Sequence, residues 1–199
     1  MPRRTGTEHL QARKERLERH AAETDPAVVL NAAARFLELR SRSAEEVRTH
    51  LAAAAFPPGL IEAAIGRLLE LGWLDDRAFA TAWVESRDRA RPRGRVALRR
   101  ELALKGIDRE MIGAVLAERD EAGRDGADDE SGPRPRGRGA DEVAAQRLLR
   151  KSRAALQRMD DPRVRRQRAY ALLARNGFDP DLCREVSTQF ANMDAGLDD

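Results

Sequence analysis

Apolar residues return along this chain every three or four positions, with polar residues between them, over segment after segment. Leu60, Ile61, Ala64, Ile65, Leu68 and Leu69 keep i, i+3, i+4 spacing, which gathers them on one face of a helix. No run alternates apolar with polar, and valine and isoleucine are sparse, so no strand is expected. The pattern predicts helices in sets of three. The first set is "DPAVVLNAAARFLELR", "SAEEVRTHLAAAA" and "PPGLIEAAIGRLLEL". The second is "DDRAFATAWVESRDR", "RGRVALRRELALKG" and "DREMIGAVLAER", and the third "DEVAAQRLLRKSRAALQRM", "DPRVRRQRAYALLARNG" and "DPDLCREVSTQF".

Local signals agree with these limits. Asp25-Pro26, Asp161-Pro162 and Asp179-Pro180 each place a capping carboxylate before a proline whose missing N–H costs nothing in a first turn. Ser43 and Glu46 have the spacing of a capping box, and Gly72 and Gly106 suit helix ends. Asp75-Asp76 reads as a cap for the helix that follows rather than as a metal site.

The sets are copies of one unit. "LALKGIDREMI" at 102–112 returns 71 positions later, with Leu102 over Leu173, Gly106 over Gly177 and Ile107 over Phe178. A fainter copy lies 51 positions upstream, with Leu51, Phe56 and Ile61 in register. Each middle helix delivers an apolar pair at i and i+4 (Val47/Leu51, Leu98/Leu102, Ala169/Leu173). A glycine or alanine turn and an apolar plug (Phe56, Ile107, Phe178) then lead into the last helix. Such units bury a continuous core by stacking. The expected architecture is all-α, with three-helix repeats over 25–74, 75–119 and 141–190. Residues 1–24 are expected to be a flexible extension, 120–140 a disordered charged insertion and 191–199 an acidic tail.

Composition narrows the function. Charged residues make up 36% of the 199, well above an average globular chain, and much of the 41% that is apolar is alanine, so several small cores fit better than one large one. Net charge is −2 over 26–76, +5 over 77–119 and +4 over 141–190, which points to an anionic partner for repeats two and three. Cys183 is the only cysteine, which suits a reducing compartment, and no secretory leader or membrane span is legible, so a cytoplasmic protein is expected.

Catalytic chemistry is not expected. His9, His20 and His50 have no cysteine or carboxylate at ligand spacing and read as solvated surface histidines. Cys183 falls on an apolar helix face and reads as a packing residue. No phosphate-cradling glycine motif is present, and no cofactor is implied. Trp73 and Trp83 are expected in the core. The surface feature that stands out is arginine. Arg87, Arg89, Arg91, Arg93, Arg95, Arg99 and Arg100 surround a Pro-Gly break in repeat two, and Arg163, Arg165, Arg166 and Arg168 recur in the middle helix of repeat three. Guanidinium forks match phosphate and carboxylate, so these eleven are the candidate partner- or nucleic-acid-binding residues.

Taken in order, "RSRSAEEVRTHL", "IGRLLELGWLDDRAFATAWVESR", "GRVALRRELALKGI" and "RRQRAYALLARNGFDPDLCREV" resemble the RecX regulatory family, the modulators of the RecA recombinase. The resemblance covers roughly residues 28–190. The insertion at 120–140 and the glycine-free "AAAAF" depart from the family pattern. The resemblance implies an elongated, gently curved array of three three-helix repeats; a monomer is expected, and no enzyme, since no catalytic constellation is present. It implies binding in the groove of the RecA–DNA filament, near its single-stranded DNA, and inhibition of filament growth, ATP hydrolysis and strand exchange. The alternative is a helix-turn-helix DNA-binding regulator built on residues 43–76. Against it, the recognition helix would carry only Arg67 as a base, and "DDRAFATAW" starts a helix where a β-wing would follow.

Overall fold

The computed structural model describes residues 6–125 and 138–195, and within them the chain has ten helices and no strand. Helix α1 (Gly6–Ala21) precedes repeat one, which comprises α2 (Pro26–Leu37), α3 (Ala44–Ala53) and α4 (Pro58–Glu70). Repeat two is α5 (Asp76–Ala90), α6 (Arg95–Ala103) and α7 (Arg109–Asp125). Repeat three is α8 (Arg138–Leu156), α9 (Pro162–Arg175) and α10 (Pro180–Ala195). The chain divides into two compact units, residues 1–79 with 105–107, and residues 80–104 with 108–199.

In the first unit, Val47 and Leu51 of α3 are fully buried in one cluster with Val29 and Ala33 of α2 and Ile61, Ala64, Ile65 and Leu68 of α4. Phe56 joins this cluster from the turn, as its place in the repeat predicts. The caps form as expected. The Asp25 carboxylate accepts from the Ala27 N–H at 2.8 Å, and Ser43 and Glu46 make a reciprocal capping box. Asp75 accepts from the Ala78 N–H at 2.9 Å, while Asp76 reaches away and accepts from the first N–H of α3, Ala44, at 2.8 Å. Burial pushes the Glu46 carboxyl up, but hydrogen bonds from Arg40 (2.9 Å) and Lys105 (2.6 Å) outweigh it and hold the group at about 2.

The turn after α3 is the one place where a residue other than glycine takes a left-handed conformation among the described residues: Ala55 has φ 68°. Gly106 and Gly177 occupy the matching turns with φ of 76° and 78°, where the absence of a Cβ makes this backbone cheap.

In the second unit, Leu98 and Leu102 of α6 and Leu116 of α7 are fully buried, with Val84, Ile112 and Val115 nearly so. Repeat three packs Ala169 and Leu173 of α9 with Ala145 and Leu149 of α8 and Leu182, Cys183 and Val186 of α10, and Phe178 enters as the plug. Burial, with a smaller contribution from Asp179, raises the Cys183 thiol to about 11, in keeping with a packing role.

Four expectations are corrected. The helix-compatible stretch in the N-terminal extension is ordered as α1, because its last turn is pinned: the His20 ring stacks on Phe56 at 4.2 Å, and its Nδ1 lies 2.9 Å from the Ala54 carbonyl. His20 and His50 are therefore not simply solvated, for His50 also stacks on Phe36 at 3.8 Å. Trp73 is not core. It lies 60% exposed, because the Gly72 turn hands the buried position to Leu74. Helices α7 and α8 run into both ends of the expected insertion, and Asp120 is buried rather than free. Residues 126–137, like 1–5 and 196–199, lie outside the described residues.

Candidate anionic-partner interface

The arginine-rich stretch of repeat two begins where α5 ends. The Arg91 N–H still reaches the Arg87 carbonyl at 2.9 Å, but Pro92 has no N–H to continue the ladder. The chain turns and restarts at Arg95 as α6. The break is a docking point for repeat three. The Gly94 N–H donates to the Asn176 carbonyl at 3.0 Å, and a Cβ on Gly94 would stand 2.2 Å from the Gly177 oxygen, so no other residue fits without moving backbone.

Several arginines here are bound by the protein itself. Arg87 donates to Glu101 at 2.6 Å and lies over the Trp83 ring, whose indole N–H donates to the same carboxylate at 2.9 Å. Trp83 is thus half-buried as a platform for Arg87. Arg93 donates to the Asn176 side chain at 2.6 Å, and Arg95 pairs with buried Asp120. In repeat three, Arg165 donates to the Met159 carbonyl at 2.9 Å. These four candidates serve the fold.

The other seven do not. Arg89, Arg91, Arg99, Arg100, Arg163, Arg166 and Arg168 are exposed, and none has a side-chain partner among the described residues. Arg163 and Arg166 line a cleft of about 530 Å³ between α9 and α10, with Gln167 and Tyr170 from α9 and Arg184 and Thr188 from α10. Along α9 the spacing of these residues is i, i+3, i+4, i+7, which is one helix face.

The sequence reading missed the residue that matters most for holding these faces in place. The Arg119 side chain is only 6% exposed; it donates to both oxygens of Asp88 at 2.8 and 2.9 Å and to Asp141 at 2.5 Å. Burial opposes its charge, yet the two carboxylates outweigh that and raise the guanidinium above its ordinary value. Asp141 also accepts the Arg95 backbone N–H at 2.9 Å. Arg147 donates to the Asp88 carbonyl at 2.7 Å, and Lys151 to the Arg89 and Ala90 carbonyls at 2.9 and 3.0 Å. Helices α5, α6, α7 and α8 are thereby tied together by charge. The only sequence signal was an acidic residue at the start of α8, which reads equally well as a cap.

Among the described residues no group of histidine, cysteine and carboxylate could hold a metal ion, and no helix is long and apolar enough to cross a membrane. Fold and site define a class: a tandem-repeat protein, all-helical over the described residues, that presents exposed guanidinium groups with no side-chain partner among them. Family comparison makes this specific. Three descriptions match in order, "RecX, first three-helix domain" over residues 30–68, "RecX, second three-helix domain" over 75–116 and "RecX, third three-helix domain" over 140–186. The chain belongs to the RecX family. It is 35% identical over 153 residues to the regulatory protein RecX of Mycobacterium ulcerans, covering 76% of this chain and 78% of the relative. It is 32% identical over 168 residues to that of Chlorobium phaeobacteroides, covering 84% and 97%. The crystal structure of RecX from Lactobacillus salivarius superposes with a TM-score of 0.65 at 18% identity, over 84% of this chain and 97% of that one, and so shares the fold. The relatives are named regulatory proteins, and this chain is read as one.

Proposed function

We propose that this protein binds the RecA–DNA filament and restrains its growth, ATP hydrolysis and strand exchange, and so acts in recombination, DNA repair and the SOS response. The observation that carries this reading is the match of all three three-helix domains, in family order, to RecX. It acts without a cofactor, as a monomer in the cytoplasm. Its free arginines supply the electrostatic attraction to the filament's acidic surface or to the DNA within it. Weak contacts on several repeats reinforce one another through effective concentration. The helix-turn-helix alternative is less well supported, because its recognition helix α4 carries Arg67 as its only base.

The test is single-strand-DNA-dependent ATP hydrolysis by the recombinase of the same organism as this protein is titrated in. The expected result is a fall in hydrolysis well below one-to-one stoichiometry. Unchanged hydrolysis together with tight, duplex-specific binding to bare DNA would overturn the reading in favour of the alternative.

A further inference from the structure

The middle and last helices pack against each other in every repeat, and the three copies of that seam can be aligned through Leu51, Leu102 and Leu173. Where repeat three carries Gln167, Tyr170 and Arg184, repeat one carries Glu45, Arg48 and Glu62. In repeat one these residues neutralise each other. Arg48 donates to Glu45 at 2.5 Å and to Glu62 at 2.7 and 2.9 Å, so its donors are turned onto the protein's own carboxylates. Repeat two has Val96, Arg99 and Gly113 there, and Arg99 has no side-chain partner among the described residues.

In repeat three both carboxylate positions have changed: Glu45 corresponds to Gln167, and Glu62 to Arg184. Arg163 and Arg166 add two more guanidinium groups from the same face of α9. Neither they nor the Gln167 amide nor the Tyr170 hydroxyl has a side-chain partner among the described residues. Arg184 is held by Asp181, but that is an exposed i, i+3 pair on α10, which is easily exchanged for a better anion. The same seam is thus self-neutralised in one repeat and a cluster of unused donors in another.

We propose that the α9–α10 cleft is a phosphate site that takes a phosphodiester of a nucleic-acid strand, and that the matching seam of repeat one takes none. A tetrahedral phosphate offers oxygens in several directions, which suits guanidinium groups arriving from two helices. A carboxylate offers two oxygens in one plane and suits a single fork. The cleft, at about 530 Å³, has room beyond the phosphate for the sugar or base attached to it, with the Tyr170 ring as part of its wall. This inference sharpens the filament reading and rests on it for its setting, a nucleoprotein filament whose nucleic acid supplies the phosphate.

The experiment uses the full chain and a short labelled oligothymidylate, followed by anisotropy over a range of salt. Two variants are compared with wild type. R163A/R166A removes the free cations, and Q167E/R184E restores the carboxylates of repeat one. All four positions are exposed, and far-UV circular dichroism checks the fold. Each variant is expected to weaken binding about tenfold or more at low salt, and R163A/R166A to reduce the salt slope by about 2. Unchanged affinity and slope in folded variants would overturn the assignment, as would wild-type protein that binds no oligothymidylate. So would polyglutamate displacing the oligonucleotide at equal charge, which would make the cleft a docking site for acidic peptide. Inorganic phosphate binding that is lost in the variants while oligothymidylate binding persists would make it a free-anion site instead. The ATPase titration separates this from the broader reading. If wild type inhibits hydrolysis but the variants leave both inhibition and oligonucleotide binding intact, the cleft assignment fails and the filament reading stands. If wild type never inhibits, the filament reading itself fails.

Discussion

Repeats two and three carry arginine in matching parts of the same scaffold and use it differently. In repeat two, Arg87, Arg93 and Arg95 turn inward to Glu101, Asn176 and Asp120. In repeat three, Arg163, Arg166 and Arg168 turn outward and find no side-chain partner among the described residues. The repeat-two cluster is partly mortar, with Arg89, Arg91, Arg99 and Arg100 left exposed, whereas of the four candidates in repeat three only Arg165 is tied to the fold; neither composition nor local charge distinguishes the two. The difference lies in whether a carboxylate or amide on another helix comes within reach. A run of basic residues is therefore not yet an interface. It becomes one when the fold leaves it without internal partners.

The sharpest way to break this comparison is at Arg119. Arg119→Ala strands Asp88 and Asp141 in a site built for a cation, and is expected to destabilise the protein by about 3–5 kcal/mol in urea titration. Arg119→Met, which keeps volume without charge, should fail in the same way, because the carboxylates remain. Next comes Arg95→Ala, which removes a charged partner of buried Asp120 and should cost about 1–3 kcal/mol in the same assay. Loss of less than 0.5 kcal/mol, a threshold of about the size of an ordinary surface substitution, would show that repeat two's arginines are not internal ties after all. Ala55→Gly should act in the opposite direction. It relieves a left-handed alanine in a turn where the other repeats use glycine, and should raise stability by about 1 kcal/mol, seen as a higher Tm. The smallest effect on stability belongs to R163A/R166A, expected within about 0.5 kcal/mol of wild type while oligonucleotide and filament binding fall. A large stability loss there would erase the distinction between the two clusters.

Much of the fold was legible because it is written in short-range terms. Val47/Leu51, Leu98/Leu102 and Ala169/Leu173 sit four residues apart, their plugs follow within a turn, and Asp25, Ser43 and Asp161 cap helices a residue or two away. What was not legible depends on distant partners. Arg93 meets Asn176 across 83 positions, and Arg119 joins Asp88 to Asp141. His20 pins α1 through a carbonyl 34 residues away, so that stretch reads as frayed when taken alone. Asp120 lies in a segment whose glycines and charges argue for disorder, yet it is buried on α7 and pairs with Arg95, 25 positions away. Of the eleven candidate arginines, the sequence could name the set. Sorting it required knowing which carboxylates stand opposite.

The solitary thiol has one more use. Cys183 is fully enclosed in repeat three, and its reactive thiolate is suppressed at neutral pH. An alkylating reagent can reach it only when α9 and α10 come apart, so the rate of its modification is a clock for the opening of that hairpin, with no other sulfhydryl in the chain to confuse the reading. Read with and without a bound partner, that clock would report how firmly the far end of the repeat series is gripped, with no added label or tag.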